Sequence, residues 1–488
     1  AQGISGWKPA PPNVAFVAEA KRFVKAARQV GQAEASHVDD YLRQAIVASL
    51  AGDHAAAHAV LETLLEPISN GTICLGQEEM VEEVLSVNLH ECVRRFLAAA
   101  YVITPMKDRA EALVKAMDAA DGLSWTKDPI EDIQSVLGEG LLDLEDFLPM
   151  WIARLERSAK ESSDSESIHE RWLRAAVGRR DGVTGLERLT RATKRPEAAR
   201  DWCNALVAAR DWSKALGAYE TSSELVEQRS RGEFLDGAAL AAQQLGRKDV
   251  LKKLDAAWLG APSLLRLLRW LIADKPSAST IRKRAESALS RSPTNAPRFV
   301  GMLQILVADI ASAAKQLENS EGLGWSDAEH AGHLLFPVFA WLLGGSPAGS
   351  VRAGLSQSLH RPVVDQFHFD TDLDGDSSDS DGVSKLSAPT IIEILERADV
   401  QARLKPTDRA TMLDAMKAAA DSRMNGVLTE KRRSYYGHAA ALIACCVELE
   451  NTAGAPSPWA EALRAQTSRF PAFQAQLRAA LAQAQSGR

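Results

Sequence analysis

Apolar positions between Pro196 and Glu220 fall into two short helical stripes. Trp202, Ala205, Leu206 and Ala209 recur at three- and four-residue intervals, Asp211-Trp212 interrupts them, and Ala215, Leu216 and Tyr219 begin a second set. Neither stripe can bury itself alone, so the pattern predicts two helices that pack on each other and then on neighbours. The same alternation starts at Val38. Tyr41, Ala45 and Ala48 share one face, Gly52-Asp53 turns the chain, Ala57, Leu61 and Leu64 answer, and Pro67 is the expected stop. Glycine supplies the left-handed backbone angle that ends a helix.

The plan returns three more times, with Asp108 before Leu113 and Ala116, Asp181 before Gly185 and Leu189, and Asp309 before Ala313 and Leu317. A looser copy begins at Leu245-Gly246-Arg247. Asp181 and Asp211 are thirty residues apart, as are Trp172 and Trp202, so these units read as consecutive. No stretch alternates with period two, and an all-α chain is expected. Leu264–Ile272 reads as a buried helix with snorkelling Arg266 and Arg269. His333 to Leu343 reads as an apolar helix kinked at Phe336-Pro337, and Lys8 to Asn13 as an extended arm. Ser158 to Ser167 is polar and predicts a loop. Helices after Pro389 are expected to stop at Gly426, Gly454 to Pro458 and Pro471. These breaks divide the chain into an N-terminal helical domain (1–157), a repeat array (158–350), an acidic linker (351–388) and a C-terminal helical domain (389–488).

Trp202, Cys203, Leu206, Asp211, Trp212, Ala215 and Tyr219 resemble the tetratricopeptide repeat family, in which a small residue in the first helix, a Gly-Asp-aromatic turn, and Ala then an aromatic mark each unit. Tyr41, Ala45, Gly52, Asp53, Ala57 and Leu61 match comparably. The closing proline is absent or shifted in most units, and the resemblance covers about half the chain. It implies a right-handed, TPR-like α-solenoid of helical hairpins whose concave surface holds a peptide or protein partner.

The 488 residues carry a net charge of −7, which opposes bulk attraction to nucleic acid or an anionic membrane. No apolar run is long enough to span a bilayer. Five scattered cysteines suit neither a disulfide framework nor a zinc ribbon and fit a reducing, cytoplasmic setting. Asp370 to Asp381 begins like a calcium loop, with oxygen ligands at alternate positions and Gly375 at the bend. Ser377 stands where an apolar residue is needed, and compositional acidity is the competing reading. His330 and His333, with Glu329, would share a face if WSDAEHAGHLL were helical, and with His360 or His368 would suit a metal. Ordinary packing histidines explain the stretch as well, and the same holds for His54 and His58. No nucleophile elbow, phosphate loop or Cys–His framework is present, so no catalytic residue, cofactor or metal ligand is assigned and no enzyme is expected.

Arg171 to Arg210 contains ten basic against four acidic residues in a net-acidic chain. In the resembling family the first helix of each repeat lines the groove. Arg200 and Asn204 match positions where some members grip a partner's terminal carboxylate, and Arg174 is the equivalent one unit earlier. Arg171, Arg174, Arg188, Arg191, Arg200 and Asn204 are therefore the candidate partner-binding set, facing an acidic peptide or protein surface. A salt-bridged, solvated face is the competing explanation. The leading expectation is a non-catalytic protein-interaction scaffold. The alternatives are a nucleic-acid-binding helical repeat and a metal-dependent hydrolase built on His330 and His333. Charge reversal of Arg174 and Arg200 is expected to weaken capture without lowering thermal stability.

Overall fold

The computed structural model describes residues 15–78, 80–123, 126–138, 140–141, 143–161, 167–292, 297–327, 329–344, 350–364, 386–450 and 457–486. The arm expected at Lys8 to Asn13, the acidic stretch Asp370 to Asp381 and His368 lie outside them. Among the described residues 23 α-helices and six short 3-10 turns form the regular structure, with no β-strand, so the chain is all-α. It divides into two compact units, 1–205 and 206–488.

The first unit holds α1 (Phe16–Val30), α2 (Ala35–Leu50), α3 (His54–Ser69), α4 (Leu89–Ile103), α5 (Met106–Ala119), α6 (Pro129–Leu137), α7 (Leu144–Glu161) and α8 (Ile168–Thr193); α9 (Pro196–Ala208) runs across the division. α2 packs on α3, α3 on α4, α4 on α6 and α7 on α8. Their apolar faces meet in one core around Phe96, Phe147, Trp151 and Trp172, the last two with ring centroids 6.4 Å apart. Asp143 accepts hydrogen bonds from the Tyr101 hydroxyl at 3.0 Å and Arg109 Nη1 at 2.7 Å, a structural role for a carboxylate in an acidic helix start.

The second unit holds α10 (Trp212–Leu225), α11 (Arg231–Gln244), α12 (Val250–Gly260), α13 (Leu264–Ile272), α14 (Ala278–Leu289), α15 (Pro297–Leu306), α16 (Ile310–Glu318), α17 (Gly332–Gly344), α18 (Val351–Ser356), α19 (Ile391–Arg397), α20 (Pro406–Thr429), α21 (Tyr436–Glu450), α22 (Pro458–Gln466) and α23 (Pro471–Ser486). Helices beyond residue 389 share one core with those from α12 to α17. Cys445 and Cys446 lie fully inside it, and burial pushes both thiols up, so neither is a reactive group. No helix among the described residues is long and apolar enough to cross a membrane.

Three of the aspartate turns share one geometry. Asp53, Asp211 and Asp309 have φ/ψ of −82/70, −84/68 and −85/67, and each side chain accepts from the backbone N–H three residues on, at 3.0, 3.1 and 3.2 Å. Each aspartate's own N–H reaches back five residues, to Ala48, Leu206 and Gln304 carbonyls at 2.9, 3.0 and 2.8 Å. That bond closes the preceding helix while the carboxylate opens the next, so one residue satisfies orphan groups on both sides. The residue before it is left-handed in all three: Gly52 (φ 84), Arg210 (φ 55) and Ala308 (φ 64). α2 and α3 pack as a hairpin across the first turn, and α15 and α16 across the third. Asp309→Ala should cost about 1 kcal/mol of stability in the 206–488 unit, read by denaturant unfolding, whereas Asp309→Asn, which keeps the acceptor, should cost much less.

The other two turns differ. Asp108 sits inside the first turn of α5, whose N-cap is Pro105. At the other, Asp181 precedes Gly182, which breaks α8 with φ 58 and ψ −147, a conformation open to glycine alone. Several expected stops are not stops. Pro67 lies within α3, near its end, where a missing N–H forfeits one bond at most. α7 continues through Ser158 to Glu161, where a loop was expected, and residues 162–166 are not described. The stops expected at Gly454 to Pro458 and at Pro471 do hold: α21 ends at Glu450 and α22 at Gln466, and each proline opens the next helix. Gly426 lies inside α20. Arg266 does not snorkel: it is 7% exposed, and its Nε donates to Asp236 Oδ2 at 2.9 Å.

Candidate functional site

The kink at Gly182 divides α8 into two segments that carry the candidate arginines. The first bears Arg171 and Arg174, the second Arg188 and Arg191. Lys194, left-handed at φ 54, donates its N–H to the Thr190 carbonyl at 2.8 Å and ends the helix. α9 then supplies Arg200 and Asn204. All six candidates fall within the 1–205 unit.

Their charge is largely answered from within. Arg174 Nε donates to Asp201 Oδ2 at 2.6 Å, joining α8 to α9, with side-chain exposures of 15% and 42%. Arg188 and Arg180 share the Asp181 carboxylate. Arg191 pairs with Glu187 at 2.9 Å and sets its guanidinium 5.9 Å from the centre of the Trp202 ring. Arg200 lies 3.6 Å from Glu197, and Arg195 pairs with Glu170. Arg179 reaches Asp128, ahead of α6, at 2.9 Å. The hydrogen bond from Arg180, reinforced by Arg188, holds the Asp181 carboxyl down at about 2. Burial pushes the Glu170 carboxyl up, against the pull of Arg195 and Arg174. Asn204 is exposed, and Arg171 and Arg200 are half-buried.

The acids were partly readable. Glu187 and Arg191 are four residues apart on one helix, and Glu197 and Arg200 three apart, spacings at which side chains meet. Arg174 and Asp201 are 27 residues apart, and only the fold joins them. The outcome is a carboxylate held beside Arg174 by the chain itself, on the helix that presents Arg200 and Asn204. Chemically this is a seat for a carboxylate, occupied by an internal one that is itself nearly half exposed and so exchangeable.

The histidine candidate is rearranged. α17 begins at Gly332, so His330 precedes the helix rather than sharing a face with His333. His330 Nε2 bonds the Glu321 carbonyl at 3.1 Å, and His333 Nε2 bonds the Trp325 carbonyl at 3.0 Å. Glu329 pairs with Arg298 at 3.3 Å. His438, from α21, is the neighbour that sequence reading missed, 105 and 108 residues further along; its ring centroid lies 4.9 Å from that of Trp325. Among the described residues no group of three His, Cys, Asp or Glu is placed to hold a metal ion. His58 packs on Phe96 at 4.9 Å between centroids, and burial pulls the His54 and His58 imidazoles down. A shallow depression of about 600 Å³ lies beside Ser86 and His90, but the Ser86 hydroxyl is spent on the buried Asp39 carboxylate.

Comparison with known proteins finds no matching family model and no similar curated protein.

Proposed function

We propose that the chain is a non-catalytic, helical-hairpin interaction protein of tetratricopeptide-like, solenoid design that takes an acidic peptide or acidic protein surface on the α8–α9 face. The observation that carries this reading is the Arg174–Asp201 pair beside Arg200 and exposed Asn204. In it, Asp201 stands in for a partner's carboxylate, and binding exchanges an internal charge pair for an external one. An exchange of this kind costs little desolvation, because Asp201 returns to water when it is displaced. The repeated aspartate turns support the hairpin design, since one turn geometry recurs at three places.

The pairing alters the charge-reversal test. Glutamate at position 174 would face Asp201 and at position 200 would face Glu197, and either would lower stability on its own, so a neutral change at Arg200 with a change at exposed Asn204 is the cleaner probe. Asp201→Asn should free Arg174 and raise capture of an immobilised glutamate-rich peptide about tenfold, the scale of one charge-assisted hydrogen bond. Arg200→Gln with Asn204→Asp should reduce capture by a comparable factor with little change in melting temperature. Duplex DNA should not compete. Capture indifferent to all three substitutions, or abolished by DNA, would remove the reading.

A further inference from the structure

We propose that the three imidazoles gathered around Trp325 form an acid-sensitive latch that releases the 320–327 turn from α20 and α21. This device lies in the 206–488 unit and is independent of the arginine face.

The latch is built from a close crossing. The turn passes over α20 with Gly322 against the Ser422 carbonyl, and Arg423 Nη1 donates to the Gly322 carbonyl at 2.9 Å. Trp325 follows in the 3-10 turn Gly324–Ser326 and is 7% exposed. Three histidines from two other places in the chain surround its indole: His330 at 4.9 Å, His333 at 5.4 Å and His438 at 4.9 Å between ring centroids.

Hydrogen-bond roles favour neutral rings at His330 and His438. His330 Nδ1 accepts the Gly332 N–H at 3.2 Å, which leaves Nε2–H to donate to the Glu321 carbonyl. A proton on Nδ1 would turn that acceptor into a donor facing a donor. His438 Nδ1 is buried with no protein partner, and so are Trp325 Nε1 and Arg423 Nε. Two of these three atoms are already donors lacking an acceptor, so no protein acceptor stands in reserve for an added N–H at His438 Nδ1.

The surrounding charges point the same way. From α20 the group facing His438 is Arg423; from α17 it is His333, and from the loop before α17 it is His330. On the other elements packed against α21, Arg352 of α18 is paired with Glu448, and Tyr435 of the adjoining 3-10 turn lies under Arg423. The Asp327 carboxylate and the Glu321 carbonyl favour a charged His330, and the Trp325 and Asp327 carbonyls a charged His333; burial, with Arg423 at both and Arg298 at His333, outweighs them. Burial first, then Arg423 and the two imidazoles, brings His438 down to about 4 from 6.5, and burial lowers His330 and His333 as well. The opened form therefore binds more protons than the closed form as pH falls below the ordinary histidine value. The latch holds fully above about 6.5 and weakens progressively toward about 4.

Hydrogen exchange of the full chain, followed by mass spectrometry and corrected for the intrinsic rate, tests this on peptides covering 320–327. Between about pH 7.5 and about pH 5.5, titration of His438 alone should lower their protection about tenfold, reversibly. His438→Phe and His438→Gln should each remove most of that drop, the second keeping a polar side chain in case the first disturbs packing. Equal protection at both pH values in the unaltered chain overturns the latch. So does a drop that survives undiminished in either folded variant.

Discussion

Asp236→Ala is expected to destabilise the 206–488 unit by about 3–5 kcal/mol, the usual consequence of stranding a buried charge. Asp236 on α11 and Arg266 on α13 are 8% and 7% exposed. Arg266 donates Nε to Asp236 Oδ2 at 2.9 Å and Nη1 to the Ala261 carbonyl at 3.0 Å, while Arg269 Nη1 stands 3.5 Å from the same carboxylate. Removing the acid leaves two guanidinium groups facing each other on an otherwise apolar helix. The Arg266 guanidinium packs directly on Gly232, in the space a Cβ there would fill. The companion variant, Asp236→Leu with Arg266→Met, should regain part of the loss, because only Arg269 then loses its carboxylate, and its Nε keeps the bond to the Ser387 carbonyl at 2.9 Å. Denaturant unfolding of both variants checks this, and a single substitution as stable as the parent would refute it.

The second large effect is expected at Gly322. A Cβ there would overlap the Ser422 carbonyl of α20, a backbone atom that cannot rotate away, so Gly322→Ala must lift the turn off the helix. Roughly 3 kcal/mol is expected, at the upper end for overpacking. Gly426→Ala makes the informative contrast. Its nearest contacts are 3.2 Å to the Leu323 side chain and 3.3 Å to the Gly322 carbonyl carbon, and alanine in mid-helix returns about 1 kcal/mol of propensity. Gly426→Ala should therefore be close to neutral where Gly322→Ala is not. Near-ultraviolet circular dichroism adds a local readout, since displaced Trp325 loses its fixed surroundings. Equal melting temperatures for the two variants would contradict the crossing described here.

Local rules carried the reading as far as single helices and their turns. Asp53, Asp211 and Asp309 were legible because a cap acts within three residues and a helix closure within five. Leu264–Ile272 was found with its observed bounds because nine residues contained both stripe and breakers. Gly426 misled because its reason lies a hundred residues away, in the turn that crosses it. Pro67 misled through position, since proline costs little in a helix's last turn, whereas Pro458 and Pro471 stand at true breaks as the first residues of the following helices. Arg266 was read as snorkelling because Asp236 is invisible from its own helix. Among the candidate binding residues the acids one turn away could have been paired by spacing, but Asp201 opposite Arg174 could not. His438 carried no signal of its own: a lone histidine in an alanine-rich helix acquires meaning only when α21 lies beside Trp325.

The left-handed residue at each aspartate turn has a wider bearing. Glycine occupies it at position 52, but arginine does so at 210 and alanine at 308, at a conformational cost of about 1 kcal/mol apiece. A joint secured from both sides by one carboxylate tolerates an unfavourable letter next to it. Selection is then free to let that letter wander while the shape of the bend persists. Shared ancestry among such bends, where it exists, fades from the text of the chain sooner than from its geometry.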